Sequence, residues 1–133
     1  MKTRIQDAFD NIVYAHRVVR ESTLRLQRTE DPDEIAATLA DLQGVLPSHF
    51  RAEERPEGYF DHLRRALPHD AEGQVAALVV DHREMEQTLG ALMEAEAHDA
   101  EWVARAQKLA RRLRDHEQSE ARLGAAPIDN GRL

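Results

Sequence analysis

Three pairs of the form His-x-x-x-Glu stand out in the sequence: His49 with Glu53, His82 with Glu86, and His116 with Glu120. A fourth histidine, His16, precedes them, and the four histidines are separated by 33, 33 and 34 residues. A spacing of four puts both side chains of a pair on one face of a helix, within reach of a common ion. Such pairs also arise as surface contacts, but chance placement of seven histidines and 14 glutamates in 133 residues gives about 0.7 of them, against three here. With no cysteine in the chain, disulfides, thiolate zinc sites, iron–sulfur clusters and cysteine nucleophiles are excluded. Any metal must be held by nitrogen and oxygen.

For these residues to meet, long helices must carry them. Glycine and proline are few and fall between long segments rich in Ala, Leu, Glu and Arg, and no strand pattern occurs, so the fold class is all-α, an antiparallel up-down-up-down four-helix bundle. The first helix is predicted over about residues 3–29. Asp31-Pro32 then reads as an N-cap followed by proline at the first helical position. The second helix runs to about residue 54, with Pro47 expected to kink it or split it after Gly44. Pro56 and Gly58 interrupt the pattern, and 59–66 forms a short helical extension ended by Leu67-Pro68. The third and fourth long helices fit 70–94 and 99–123, with Gly124 as a C-cap. One domain is expected over 1–124, with a flexible tail over 125–133.

An apolar stripe recurring at steps of three and four marks the face each helix turns to the core. Helix one gives Ile5, Phe9, Ile12, His16, Val19, Thr23 and Leu26; helix two gives Ile35, Leu39, Leu42, Leu46, His49 and Glu53. Helix three reads Val75, Leu78, His82, Glu86, Leu89 and Met93, with Val79 and Met85 beside it; helix four reads Trp102, Ala106, Leu109, Leu113, His116, Glu120 and Leu123. Each stripe therefore carries a histidine, and three carry a glutamate as well. Burying a carboxylate without a compensating charge costs several kcal/mol, and a metal supplies that charge. His62, His69 and His98 have no glutamate four residues on and are expected at the surface, as are Glu54, Glu57, Glu84 and Glu117, which point off the stripes. Tyr59 could close one end of a pocket.

Four imidazoles and three carboxylates exceed what one tetrahedral zinc takes and suit two six-coordinate ions of intermediate softness, such as iron or manganese. Two bridging carboxylates, five terminal ligands and one bridging oxide or hydroxide fill eleven of twelve positions, leaving one open to dioxygen, peroxide or nitric oxide. The i, i+3 Glu-x-x-His motif of ferritin-like di-iron bundles and the His-Glu-x-x-His zinc motif do not occur.

With His16, His49-Phe-Arg-Ala-Glu53-Glu, His82-Arg-Glu-Met-Glu86 and His116-Glu-Gln-Ser-Glu120, the chain resembles the hemerythrin-like (HHE cation-binding) family over nearly its whole length. The resemblance implies two iron ions in a non-haem di-iron centre. His16 and His49 would ligate one iron, His82, Glu86 and His116 the other, and Glu53 and Glu120 would bridge. Oxygen-carrying hemerythrins have a histidine where Glu86 stands, and their last motif ends in an aspartate five residues after its histidine. An anionic ligand in place of a neutral one stabilises ferric iron, which moves the expectation from reversible oxygen carriage towards sensing or redox turnover.

The net charge of -7, with acidic and basic residues intermixed, points away from nucleic acid or anionic membrane as partner. No apolar run of 18 residues and no signal-type segment occurs, so a cytoplasmic location is expected. The functional expectation is a di-iron protein binding dioxygen or a related small oxidant. The alternatives are an oxidoreductase that turns over peroxide or dioxygen, and an iron-sensing bundle. Oligomeric state is left open by the sequence.

Overall fold

The chain turns first at Asp31. Its carboxylate accepts a hydrogen bond from the Asp33 backbone N–H (3.0 Å), its own N–H donates to Thr29 Oγ1 (3.1 Å), and Pro32 occupies a position where no N–H is needed. This separates α1 (Arg4–Arg28) from α2 (Pro32–Glu54); α3 (Tyr59–Ala66), α4 (Ala71–Glu94) and α5 (Ala100–Arg132) follow. The computed structural model describes residues 4–66 and 71–132, with side chains for 14–65 and 72–123. The stripe positions Ile5, Phe9 and Ile12, the Leu67-Pro68 helix stop and His69 lie outside the described side chains.

α1 packs on α2 and α5, and α4 packs on the same two helices, while α1 and α4 make no contact among the described residues. Sequential long helices are therefore neighbours and run antiparallel, which is the up-down-up-down bundle expected. Short α3 lies across one end, against α2, α4 and α5. The far end is tied by Gln107 Nε2 donating to Thr29 O (3.2 Å) and by the indole N–H of Trp102 donating to Leu92 O (2.9 Å). Asp99 caps α5 by accepting from the Trp102 N–H (2.9 Å). Among the described residues no helix is long and apolar enough to cross a membrane.

Three expectations change, two of helix extent and one of the face that α4 turns inward. α2 is continuous through Pro47, because Leu42 and Leu46 before it and His49, Phe50 and Glu53 after it are all buried on one side. Their packing outweighs the roughly 3 kcal/mol that an interior proline costs. α5 runs past Gly124 to Arg132; an interior glycine costs a helix about 1 kcal/mol, which weakens it without ending it. In α4 the core face after His82 proceeds through Met85, Leu89 and Leu92, all buried, while Met93 is 43 % exposed and Glu86 is half-buried. The sequence 75, 78, 82, 85, 89, 92 alternates steps of three and four without a break, as a bundle-facing stripe must.

The turn between α2 and α3 is tight. Glu57 adopts φ 64, and its N–H is held by Asp61 Oδ2 (2.8 Å). A Cβ on Gly58 would come within 2.5 Å of Ala52 O, 2.8 Å of Arg55 O and 2.9 Å of Glu53 O, so only glycine fits there. That reversal lays Phe60 and Leu63 over Val75 and Leu78 as a second small core.

The altered α4 face is directly testable. Leu92→Ala is expected to destabilise the metal-free protein by about 2–5 kcal/mol in urea unfolding, whereas Met93→Ala stays within about 0.5 kcal/mol. Equal costs at the two positions would show that the face had been assigned wrongly.

Candidate metal centre

His49 and Glu53 sit on the last two turns of α2, His82 in mid-α4, His116 and Glu120 on α5, and His16 on α1. The bundle brings six of the seven predicted ligands together in two adjoining groups. Ligand atoms of His16, His49 and Glu53 lie within 4.8 Å of one another, and so do those of His82, His116 and Glu120. In the second group His82 Nε2 and His116 Nε2 are 3.0 Å apart, and Glu120 Oε1 is 2.7 Å from His116 Nε2 and 3.3 Å from His82 Nε2. Glu53 Oε1 spans the groups, at 3.5 Å from His49 Nε2 and 3.6 Å from His82 Nε2.

The site is dry. His82 is 0 % exposed, Glu53 2 %, and His116 and Glu120 4 % each; His16 is half-buried. Glu53 Oε1 and His49 Nδ1 are buried with no hydrogen-bond partner among the described residues. A buried carboxylate oxygen with no donor is costly, and a cation among these nitrogens and oxygens would relieve it.

Electrostatics point the same way. Burial, with the charge of Glu120 and a hydrogen bond to it, pushes Glu53 up to about 10, so in the metal-free protein this carboxyl holds a proton at neutral pH. Burial also opposes ionisation of Glu120, but hydrogen bonding with His116, His82 and Glu53 overrides it and brings that carboxyl down. His49 falls to about 4, through burial first and the neighbouring His16 second, and His16 is lowered by burial as well; both rings are therefore neutral, the form that ligates a metal. His116 is raised despite its burial, because Glu120 and Asp81 both favour its cation. Burial and Glu120 push Glu117 up to about 7 on the α1 side of the site.

Two carboxylates not assigned to the site by the sequence stand directly behind it. His82 Nδ1–H donates to Glu54 Oε2 (2.7 Å), and His116 Nδ1–H donates to Asp81 Oδ2 (3.3 Å). A carboxylate can only accept, so each bond needs a hydrogen on Nδ1, and it turns Nε2 inward towards Glu120. Glu54 was expected in solvent; instead it is mostly covered, held between His82 and Arg83. Glu84 and Glu57 are exposed and paired with Arg112 and Arg65, as their off-stripe positions implied. His62 is exposed, and so is His98, which stacks on Trp102 at 3.9 Å.

Glu86 is the predicted ligand that neither group includes. Its Oε1 accepts from Arg83 Nη1 (3.3 Å) at the rim of α4. Aromatic rings complete the lining: Phe50 stacks on His82 (3.7 Å, 5°), Phe60 lies on the same ring (5.3 Å, 23°), and Tyr59 O–H donates to Glu120 O (3.1 Å) at the end closed by α3.

Comparison with curated proteins and with solved structures returned no match. The model of the hemerythrin HHE cation-binding domain matches residues 7–123. That span contains all six clustered donors, with Glu86, and covers most of the chain: this protein belongs to the hemerythrin HHE cation-binding domain family.

Proposed function

We propose that the chain holds two iron ions in a non-haem di-iron centre and binds dioxygen or a related small oxidant at an open iron position, in a storage, sensing or redox role. The observation that supports this most is the adjoining of two histidine–carboxylate groups through Glu53, whose orphaned oxygen lies between His49 and His82. His16 and His49 would hold one iron, His82 and His116 the other, with Glu53 and Glu120 between them. A donor set of imidazole and carboxylate without sulfur suits iron or manganese. When bound, such a pair supplies redox chemistry and a Lewis-acidic open position.

The protein's own residues do the rest. Phe50, Phe60 and the buried leucines shield the donors from water. Nδ1–H bonds to Glu54 and Asp81 hold His82 and His116 in one tautomer. Glu86 would join as a seventh ligand on giving up Arg83, which makes it the exchangeable member of the set.

Metal analysis of the purified protein, with absorption spectra under air and after reduction, tests the reading. About two iron per chain are expected, and chelation should lower the melting temperature by roughly 10 °C, the scale set by ligand linkage for a domain of this size. A stable visible band that forms and clears reversibly with dioxygen identifies a binder; continuous loss of oxidant identifies an enzyme. Less than about one metal per chain, with folding unchanged in His49→Ala and His116→Ala, sinks the reading.

Loading must also release protons. Glu53 lies at about 10 in the metal-free protein, so it is neutral at pH 7 and has to ionise to face two cations, and any proton on His116 leaves with it. Metal affinity therefore rises with pH between 6 and 8, with at least about one proton released per chain on loading at pH 7. Calorimetric titration in buffers of different ionisation enthalpy counts them. Glu53→Gln, which has no such proton, should flatten the pH dependence.

A further inference from the structure

The two donor groups differ in what stands behind them. Each histidine of the α4–α5 group is backed by a carboxylate that is itself held by a surface arginine: Arg83 pairs with Glu54, which accepts from His82, and Arg112 pairs with Asp81 (3.3 Å), which accepts from His116. The His82 ring is further clamped between Phe50 and Phe60. Across the bundle the support is thinner. His49 Nδ1 has no hydrogen-bond partner among the described residues, its ring meets His16 edge-on (4.6 Å, 83°), and His16 is half-buried.

A carboxylate on the far nitrogen of a ligating imidazole fixes the ring's orientation, selects its tautomer and strengthens its donor nitrogen. A ring locked in advance also loses less freedom when the ion arrives. Both effects act on His82 and His116 and on neither His16 nor His49 among the described contacts.

We infer that the two metal positions are unequal and fill in order: the first ion takes His82, His116 and Glu120, the second takes His16, His49 and Glu53, and Glu54 and Asp81 are the positioning residues that set the difference. This rests on the metal-binding reading above and adds to it a defined half-loaded state, with the ion on the α1–α2 side lost first.

The test is titration of cobalt(II) alone into the full metal-free chain, without oxygen, followed by calorimetry and by the visible absorption of the bound ion. Two steps of one equivalent each are expected, at least about tenfold apart in affinity. Glu54→Ala and Asp81→Ala should each weaken the first step by about 10–100-fold and leave the second within about threefold. Glu54→Gln and Asp81→Asn keep an acceptor oxygen and should recover part of the loss, which a merely structural role would not distinguish. His16→Ala, on a half-exposed ring, should abolish the second step and spare the first; it decides the order even where an alanine behind His82 costs the fold. A single step for two equal sites, equal weakening of both steps by Glu54→Ala, or loss of the first step in His16→Ala overturns the inference. Absence of any cobalt binding removes the metal reading as well.

Discussion

The rest of the structure is arranged around two carboxylates, Glu53 and Glu120, buried side by side in a core of leucines and aromatic rings. Two like charges that close, in so little water, cannot both ionise unless cations stand between them. The metal-free chain resolves this by protonation, with Glu53 kept neutral and Glu120 ionised against His116 and His82. Such a buried polar cluster is weak support for a fold, and the bundle is held by the layers of leucine on α2, α4 and α5 away from the site.

That division of labour explains the shape of the bundle. One end is an ordinary packed core, closed by Trp102 and the Thr29 loop; the other carries the polar cluster and needs a lid. Short α3 supplies it. The Glu57–Gly58 turn reverses the chain so that Phe60 covers His82 and the Tyr59 hydroxyl reaches the backbone of α5. The polar groups behind the rings are layered by depth, from arginine at the surface, through a half-covered carboxylate, to a buried imidazole. Each carboxylate is thereby compensated on the outer side by a cation in partial solvent, and its remaining acceptor capacity is directed inward.

Why Glu86 stands apart from Glu53 and Glu120 follows from the phase of the stripes. In α2 and α5 the step into the histidine is three (Leu46 to His49, Leu113 to His116), so the next inward step is four and lands on a glutamate. In α4 the step into His82 is four, from Leu78, so the next inward step is three and lands on Met85. Glu86 is left on the flank, where Arg83 one turn earlier takes its charge. Equal spacing within the three pairs concealed a difference in register that the whole stripe records.

What the sequence by itself determined is most of what is periodic: four long helices, their inward faces except beyond His82 in α4, the cap at Asp31, and four histidines with two of the three glutamates assigned to those faces. These are legible because a buried face forces a repeat of 3.6 residues, and a polar residue inside that repeat cannot be an accident of composition. Only the tertiary structure decided which carboxylates stand behind the rings. Glu54 and Asp81 are each one residue off a core position, and what they touch lies 28 and 35 residues away on another helix. No periodicity marks such a residue, because its partner is set by how two helices are rotated against each other. The same holds for Pro47 and Gly124, where local preference for a break was outweighed by packing in one case and was too weak to end the helix in the other.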